Sequence, residues 1–227
     1  MFYVIRHGQR ADQGTLEDRA SVKNVWDPPL TPVGRMQSFL TGEQLYKEIP
    51  NIKKKRLLVI VSPFRRCLET AENLLVGLQL TNVTLYDNCV FVDDAVRENH
   101  AGKSFVLADY YGLDFFNIKP IIFPDVKYNA LPMFKQYRDR SELATESTEE
   151  AIDRFRRIFQ TVREFLLEKE NADIIPIIVT HGICVSYIYE DFTTENNRRY
   201  IFCSTSKMIV DPQIGSLEME YIDKSLY

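Results

Sequence analysis

The chain has 227 residues, of which 45% are hydrophobic and 26% are charged, a composition typical of a globular protein with a sizeable core. The formal net charge of −4 at pH 7 gives no reason to expect a nucleic acid or a membrane surface as a partner. This length fits one large domain or a domain with one insertion.

The cysteines and the apolar runs indicate in which cellular compartment the protein resides. No two of the four cysteines form a CxxC pair; they are Cys67, Cys89, Cys184 and Cys203. The apolar run Met1–Ile5 leads directly into Arg6 and is too short for a secretory signal. No apolar run approaches the roughly 20 residues that a membrane-spanning helix needs. We therefore expect free thiols and a cytosolic protein.

Short apolar runs rich in β-branched residues predict buried strands. The three clearest are Phe2–Ile5, Leu57–Val61 and Ile177–Thr180. Pro176 has no N–H to donate to a sheet, so we expect the third strand to begin beside it. Two later runs also predict strands, Tyr200–Ser204 and Leu217–Ile222.

Three segments between these strands show helical patterns. Thr31 and Pro32 predict a helix start, because a capping hydroxyl precedes a proline at the first helical position. Three apolar residues then fall on one face: Val33, Met36 and Leu40. A capping box begins at Ser147, and an apolar stripe follows it: Ile152, Phe155, Phe159, Val162 and Leu166. The remaining helix is expected from about Arg65 to Leu78.

Strands that alternate with helices predict an α/β fold, a three-layer α/β/α sandwich with a mainly parallel central sheet. The stretch from about Asp93 to Glu146 interrupts this alternation with proline and glycine punctuation and irregular aromatics. We interpret it as a helical or loop insertion over the active site, within a single domain of residues 1–227. Its aromatic side chains either wall a pocket or fill the insertion's own small core.

Two of the three histidines occupy equivalent positions in this pattern. His7 follows the first strand and His181 follows the third, and each precedes a glycine that lets a ligand approach the backbone. The carboxyl ends of parallel strands meet at one edge of a sheet, where ligands bind in such folds. A single buried histidine is usually structural, but this pair favours a functional site.

Arginines surround the same sheet edge. Arg6 and Arg10 flank His7, while Arg65 and Arg66 follow the second strand. Guanidinium groups stay charged and bind phosphate oxygens with a rigid fork of donors. An isolated arginine usually forms a surface salt bridge, whereas arginines that converge with two histidines predict an anion site.

Five segments resemble the motifs of the histidine phosphatase superfamily, whose members include cofactor-dependent phosphoglycerate mutases and acid phosphatases. The segments are Arg6–Gly8, Pro29–Gln37, Ser62–Thr70, Arg97–Gly102 and Val179–Gly182. The tripeptide RHG alone is weak evidence, but five segments in order over residues 2 to about 190 are strong evidence.

The resemblance implies a role for each matching residue. His7 becomes a phosphohistidine, and four residues bind the phosphate: Arg6, Arg10, Arg66 and His181. Glu98 donates a proton to the leaving oxygen, with Asp93 or Asp94 as the alternative acid. His100 is expected at the pocket rim. No metal or other cofactor is expected, because the protein's own cations hold the phosphate and no carboxylate–histidine cluster has ligand spacing.

Within the superfamily, Arg6–Asp12 and Asp27–Leu30 resemble the phosphatase domain of the suppressor-of-T-cell-receptor-signalling proteins and of insect ecdysteroid-phosphate phosphatase. Arg10 is the distinguishing residue. The mutases usually carry an Asn-rich stretch that ends near Gly-Trp, whereas this chain has Asp12–Gly14. The resemblance therefore favours a phosphatase over a mutase.

Several alternatives remain open at this point. The substrate is expected to be a phosphorylated small molecule or a phosphoprotein, such as phosphotyrosine or another aromatic or hydrophobic phosphate ester. A phosphoglycerate mutase or a sugar-phosphate phosphatase would use the same site. A catalytically inactive scaffold is disfavoured, because His7, His181 and the arginines are all present. The run Leu217–Ile222 is either an edge strand that pairs across a homodimer or the last strand of a monomer.

Overall fold

One central sheet of seven strands organises the described part of the chain. The computed structural model describes residues 1–25, 27–99, 127–129, 131, 133, 146–194 and 201–226. The strands are β1 Phe2–Arg6, β2 Arg56–Val61, β3 Thr84–Val92, β4 Lys127–Asn129, β5 Ile174–Thr180, β6 Thr205–Val210 and β7 Leu217–Lys224. Their spatial order is β4-β3-β2-β5-β1-β6-β7. Strands β1 to β5 are parallel, and β6 and β7 pair antiparallel.

Helices cover both faces of this sheet. They are α1 Leu16–Ala20, α2 Pro32–Glu48, α3 Arg65–Gly77, α4 Thr148–Leu167 and α5 Gly182–Phe192. Side chains alternate along β1, so that Phe2 and Val4 join a core with α4 and α5. Tyr3 and Ile5 join a second core with α2 and α3. The predicted three-layer α/β/α arrangement with a mainly parallel sheet is confirmed.

Helix α2 does not bury the apolar face that its sequence predicts. The predicted helix start at Thr31 and Pro32 is confirmed, but Val33 and Met36 of the apolar face are 55% and 56% exposed. The helix instead buries mostly small residues: Gly34, Ser38, Thr41, Gly42 and Leu45. The reason is close helix packing, because a Cβ at Gly42 would overlap the backbone carbonyl oxygen of Leu74 in α3.

The strand predicted at Tyr200–Ser204 is also wrong. Strand β6 begins only at Thr205, and Tyr200 lies outside the described residues. The backbone turns at Cys203, where φ is 51°, and the Cys203 N–H donates to the His7 carbonyl oxygen at 3.2 Å. A left-handed residue interrupts an extended strand, and here the turn lies against the predicted site.

Pro176 lies inside β5 rather than at its beginning. The prediction that the third strand begins beside this proline is therefore wrong. On one side it lies opposite Leu58 of β2. On the other side the ladder to β1 begins only with Tyr3 opposite Ile177. The residue without an N–H therefore lies just before that second ladder, where a donor is not required.

Most of the predicted insertion, including His100, lies outside the described residues, and the single-domain division stays a prediction. Strand β4 belongs to this stretch and extends the sheet beside β3. Of the aromatics in this stretch, Tyr128 is described, and its hydroxyl donates to Glu72 of α3 at 3.0 Å. That ring therefore packs against the sheet and α3 rather than at the predicted site.

The structure also addresses the expected free thiols and the expected lack of a membrane-spanning helix. All four cysteines are free and buried. Within the described ranges, no helix is both long enough and apolar enough to span a bilayer.

Candidate active site

Adjacent parallel strands deliver the predicted residues to one sheet edge. Arg6, the last residue of β1, lies opposite Thr180, the last residue of β5. His7 and His181 follow directly, and their ring centroids are 5.4 Å apart. Ser62 follows β2, which pairs with β5 on its other side. The structure therefore brings the two predicted histidines together at the carboxyl end of the sheet.

His7 is held as a neutral imidazole. Its Nδ1 lies 2.8 Å from the Gly8 carbonyl oxygen. A carbonyl only accepts hydrogen bonds, so Nδ1 carries the hydrogen and the lone pair remains on Nε2. Burial lowers the pKa of His7 well below its usual value, and the charges of Arg66 and Arg6 lower it further. A neutral ring with a lone pair on Nε2 has the form that a nucleophile requires.

The loop of His7 is fastened to helices α2 and α3. The Gly8 N–H donates to Thr70 Oγ1 at 3.0 Å, and this hydroxyl donates to the Arg66 carbonyl oxygen at 2.7 Å. A Cβ at Gly8 would lie 2.5 Å from the carbonyl oxygen of Gly34 at the beginning of α2. Only glycine fits this approach, and the nucleophile loop is packed between two helices.

His181 is oriented through both ring nitrogens. Its Nε2 lies 2.7 Å from Ser62 Oγ, and its Nδ1 lies 3.2 Å from Nη2 of Arg66. A guanidinium only donates, so Nδ1 accepts and the hydrogen is on Nε2, which donates to the Ser62 hydroxyl. The side chain is fully buried, and the Phe64 ring packs edge-on at 5.3 Å.

Arg66, rather than Arg65, is directed into the site. Arg66 is 2% exposed, and its guanidinium carbon lies 4.4 Å from the Phe64 ring centroid. Arg65 instead donates to Glu69 at 2.7 Å and is 56% exposed. Burial lowers the pKa of Arg66, but an arginine remains protonated in proteins. The structure thus selects the arginine that the family motif assigns.

Arg6 and Arg10 place two more positive charges near His7. The guanidinium carbon of Arg6 lies 4.6 Å from the Phe202 ring centroid. Nε of Arg10 donates to Oδ1 of Asp12 at 2.9 Å, and its Nη2 contacts the second carboxylate oxygen. The charge of Arg10 lowers the pKa of both His7 and Glu98. Asp12 therefore fixes the direction of an arginine whose charge acts on the site.

Glu98 reaches the same site from the loop after β3. Its Oε2 lies 3.7 Å from Nδ1 of His181. Burial raises the pKa of Glu98 above its usual value, although Arg66 and Arg6 act in the opposite direction. The alternative acid Asp93 is 3% exposed and accepts a hydrogen bond from the Ala95 N–H at 3.0 Å. This geometry favours Glu98 over Asp93.

Two further residues of the site received no role from the sequence. Ser62 orients His181, and its signal was available, because it follows β2 as His7 follows β1. Both carboxylate oxygens of Asp27 accept from the Arg65 N–H, at 2.8 and 3.0 Å. The same carboxylate lies 3.5 Å from Nη1 of Arg66. Asp27 therefore caps the N-terminus of α3 and lies against the phosphate-binding arginine that the motif assigns.

The site combines a neutral histidine, a protonatable carboxyl and three arginines at the carboxyl edge of an α/β sheet. Residues 2–219 match the family model of the histidine phosphatase superfamily (branch 1). The chain therefore belongs to this superfamily of phosphatases and mutases. No curated protein sequence matches the chain significantly.

Solved structures with low sequence identity share the fold. One is the ecdysone phosphate phosphatase from Bombix mori in complex with tungstate, with 19% sequence identity and a TM-score of 0.57. The match covers 97% of this chain and 91% of that chain. Another is a mycobacterial glucosyl-3-phosphoglycerate phosphatase in complex with VO3, with 16% identity, a TM-score of 0.53 and 99% coverage of both chains. A mutant phosphoserine phosphatase from Entamoeba histolytica in complex with phosphoserine has 15% identity and a TM-score of 0.52, covering 99% of this chain and 96% of that chain.

Proposed function

We propose that the chain is a phosphomonoester hydrolase that works through a phosphohistidine on His7. One observation carries the proposal: the Gly8 carbonyl fixes the hydrogen of His7 on Nδ1, and burial together with the charges of Arg66 and Arg6 lowers the pKa of His7, so that the ring is neutral. A nucleophile of this form can attack phosphorus without a base to remove a proton. The same arginines attract the dianionic substrate.

In the first half-reaction, the lone pair of His7 Nε2 attacks phosphorus. The P–O bond to the leaving group breaks, and its electron pair goes to the leaving oxygen. Glu98 donates its carboxyl proton to this oxygen, so that an alcohol or phenol departs. The raised pKa of Glu98 favours the protonated carboxyl that this step needs. The product is a phosphoryl group on Nε2 and a carboxylate at Glu98.

In the second half-reaction, water attacks the phosphoryl group and gives a proton to the Glu98 carboxylate. The P–N bond breaks, its electron pair returns to Nε2 of His7, and inorganic phosphate leaves. The enzyme is then in its starting state. Both steps depend on positioning and on positive charge around the transferred group.

The arginines and His181 hold the equatorial phosphate oxygens in this proposal. Arg66, Arg6 and Arg10 supply guanidinium donors. Nδ1 of His181 accepts from Arg66 in the present structure, so it must gain a proton before it can donate to phosphate.

We propose an aromatic or hydrophobic phosphate ester as the substrate. The half-buried ring of Phe202 borders the site, 5.9 Å from the His7 ring. Such a ring suits a flat or apolar leaving group. The ecdysone phosphate phosphatase offers a parallel, since its named substrate is a steroid phosphate.

Activity measurements on matched substrates test this function. Wild-type protein should hydrolyse an aryl phosphate, whereas His7→Ala should lose nearly all of that activity. Phosphotyrosine peptides and a steroid phosphate should react faster than sugar phosphates and phosphoglycerates. Activity of His7→Ala at the wild-type level would disprove the mechanism. A faster rate in a coupled phosphoglycerate mutase assay would instead identify a mutase, and no turnover of any substrate would identify an inactive scaffold.

A further inference from the structure

A buried ion pair lies behind the loop that carries Glu98. Arg154 of α4 is 1% exposed and Glu146 is 7% exposed. Nε and Nη2 of Arg154 donate to the two carboxylate oxygens of Glu146, both at 2.7 Å. This bidentate geometry fixes the plane of the guanidinium group.

The same guanidinium holds the backbone directly before Glu98. Nη1 of Arg154 donates to the Ala95 carbonyl oxygen, and Nη2 also donates to the Arg97 carbonyl oxygen at 3.3 Å. The carbonyl between them, that of Val96, accepts from Thr180 Oγ1 at 2.6 Å. Three consecutive carbonyls that precede Glu98 are therefore held, two of them by Arg154 and one by the residue before His181.

The Arg154–Glu146 ion pair is better explained by the positioning of Glu98 than by a contribution to fold stability. A buried ion pair contributes little net stability, because apolar residues of similar size often stabilise a fold as well or better. A general acid, by contrast, must lie within about 2.6–3.2 Å of the oxygen that it protonates. A displacement of about 1 Å can reduce a rate about 100-fold. A fixed guanidinium that grips the loop on both sides of Val96 limits such a displacement of Glu98.

We propose that Arg154, oriented by Glu146, is a positioning residue for the general acid Glu98. Arg154 contacts the loop backbone and acts through Glu98. The inference rests on the proposed phosphatase function and deepens it, because it identifies what places the proton donor. It predicts that loss of Arg154 impairs those substrates whose leaving group needs a proton.

The test compares two aryl phosphates that differ in this need. Dinitrophenolate leaves readily without protonation, whereas phenolate is a poor leaving group, so 2,4-dinitrophenyl phosphate and phenyl phosphate are the substrates. The double variant Glu146→Gln/Arg154→Met removes both charges and leaves no unpaired buried ion. Its kcat/KM, which reports only the steps up to departure of the leaving group, should fall on the order of tenfold more for phenyl phosphate than for the dinitrophenyl ester, in the direction expected for Glu98→Gln.

Two controls isolate the role of Arg154. Arg156 is on the same helix, is 45% exposed and forms ion pairs with Asp153 and Asp191, both at 2.6 Å. Arg156→Met should therefore leave both rates unchanged. When the double variant is combined with Glu98→Gln, the selective loss for phenyl phosphate should not increase further, because residues that act through one another are not additive.

Three results would overturn the inference: equal losses of kcat/KM for both esters, no loss in a folded variant, or a further selective loss in the Glu98→Gln background. Thermal unfolding monitors the folded state. Arg154→Lys serves where the double variant does not fold, since a lysine keeps the charge beside Glu146 but cannot hold both carbonyls as a planar fork does. Failure of the proposed function itself is distinguishable, because wild-type protein would then hydrolyse neither ester or His7→Ala would retain activity.

Discussion

Replacement of Thr70 by valine should loosen the loop that carries His7. The Thr70 hydroxyl is fully buried and accepts from the Gly8 N–H at 3.0 Å. Valine keeps the shape of the side chain but offers no acceptor. A buried N–H without a partner costs about 1–3 kcal/mol. For a domain of this size, each kcal/mol lowers the Tm by about 2–4 °C.

Thermal unfolding and steady-state kinetics measure the two consequences. Thr70→Ser keeps the hydroxyl and is the matched control. We expect Thr70→Val to lower the Tm by several degrees relative to Thr70→Ser, and to lower kcat more than it changes KM, because His7 loses its alignment with phosphorus. Equal Tm and kcat values for the two variants would refute the reasoning that this hydroxyl fixes the nucleophile loop.

Three more predictions concern the acid, the packing and the anion site. The kcat/KM for phenyl phosphate should fall as the pH rises through the raised pKa of Glu98, because only the protonated carboxyl donates a proton. Glu98→Gln should abolish this decrease at high pH. A pH profile that Glu98→Gln leaves unchanged would exclude Glu98 as the acid. Gly42→Ala should destabilise the protein by about 1–3 kcal/mol in chemical unfolding, because the alanine Cβ would overlap the Leu74 carbonyl oxygen. A variant as stable as the wild type would contradict the close packing of α2 on α3. Arg10→Ala should weaken inhibition by inorganic phosphate about 10-fold or more. The side chain of Arg65 pairs with Glu69, so Arg65→Ala should change this inhibition little. Equal effects of the two substitutions would count against Arg10 as a phosphate ligand.

The nucleophile side of the site could be predicted from the sequence because its signals are local. His7 and His181 each end a short β-branched run and precede a glycine, and strands of this kind meet at one sheet edge. Ser62 lies at the same position after β2. In each case the strand pattern determined the placement, and no long-range contact had to be known.

The remaining features depend on contacts between distant segments. Val33 and Met36 of α2 are exposed because α3 approaches so closely that small residues are required. The turn at Cys203 exists where the chain packs against the His7 loop. Neither arrangement has a signature in the local hydrophobic pattern.

Arg154 is an intermediate case, because a local signal existed. It lies on the apolar stripe of α4, between the buried residues Ala151 and Ile158. A charged side chain on such a stripe indicates a buried partner, since burial of an unpaired charge is costly. The identity of that partner, Glu146, and of the held carbonyls required the fold.

The covalent state of His7 during turnover tests the central claim most directly. Substrate labelled in the phosphoryl group is mixed with the enzyme and quenched in alkali within a single turnover, and the labelled residue is located by mass spectrometry. The account predicts a phosphoryl group on Nε2 of His7 that is stable in base and labile in acid, and that is absent from His7→Ala. Rapid hydrolysis with no phosphohistidine at any time point, or a label on another residue, would contradict it.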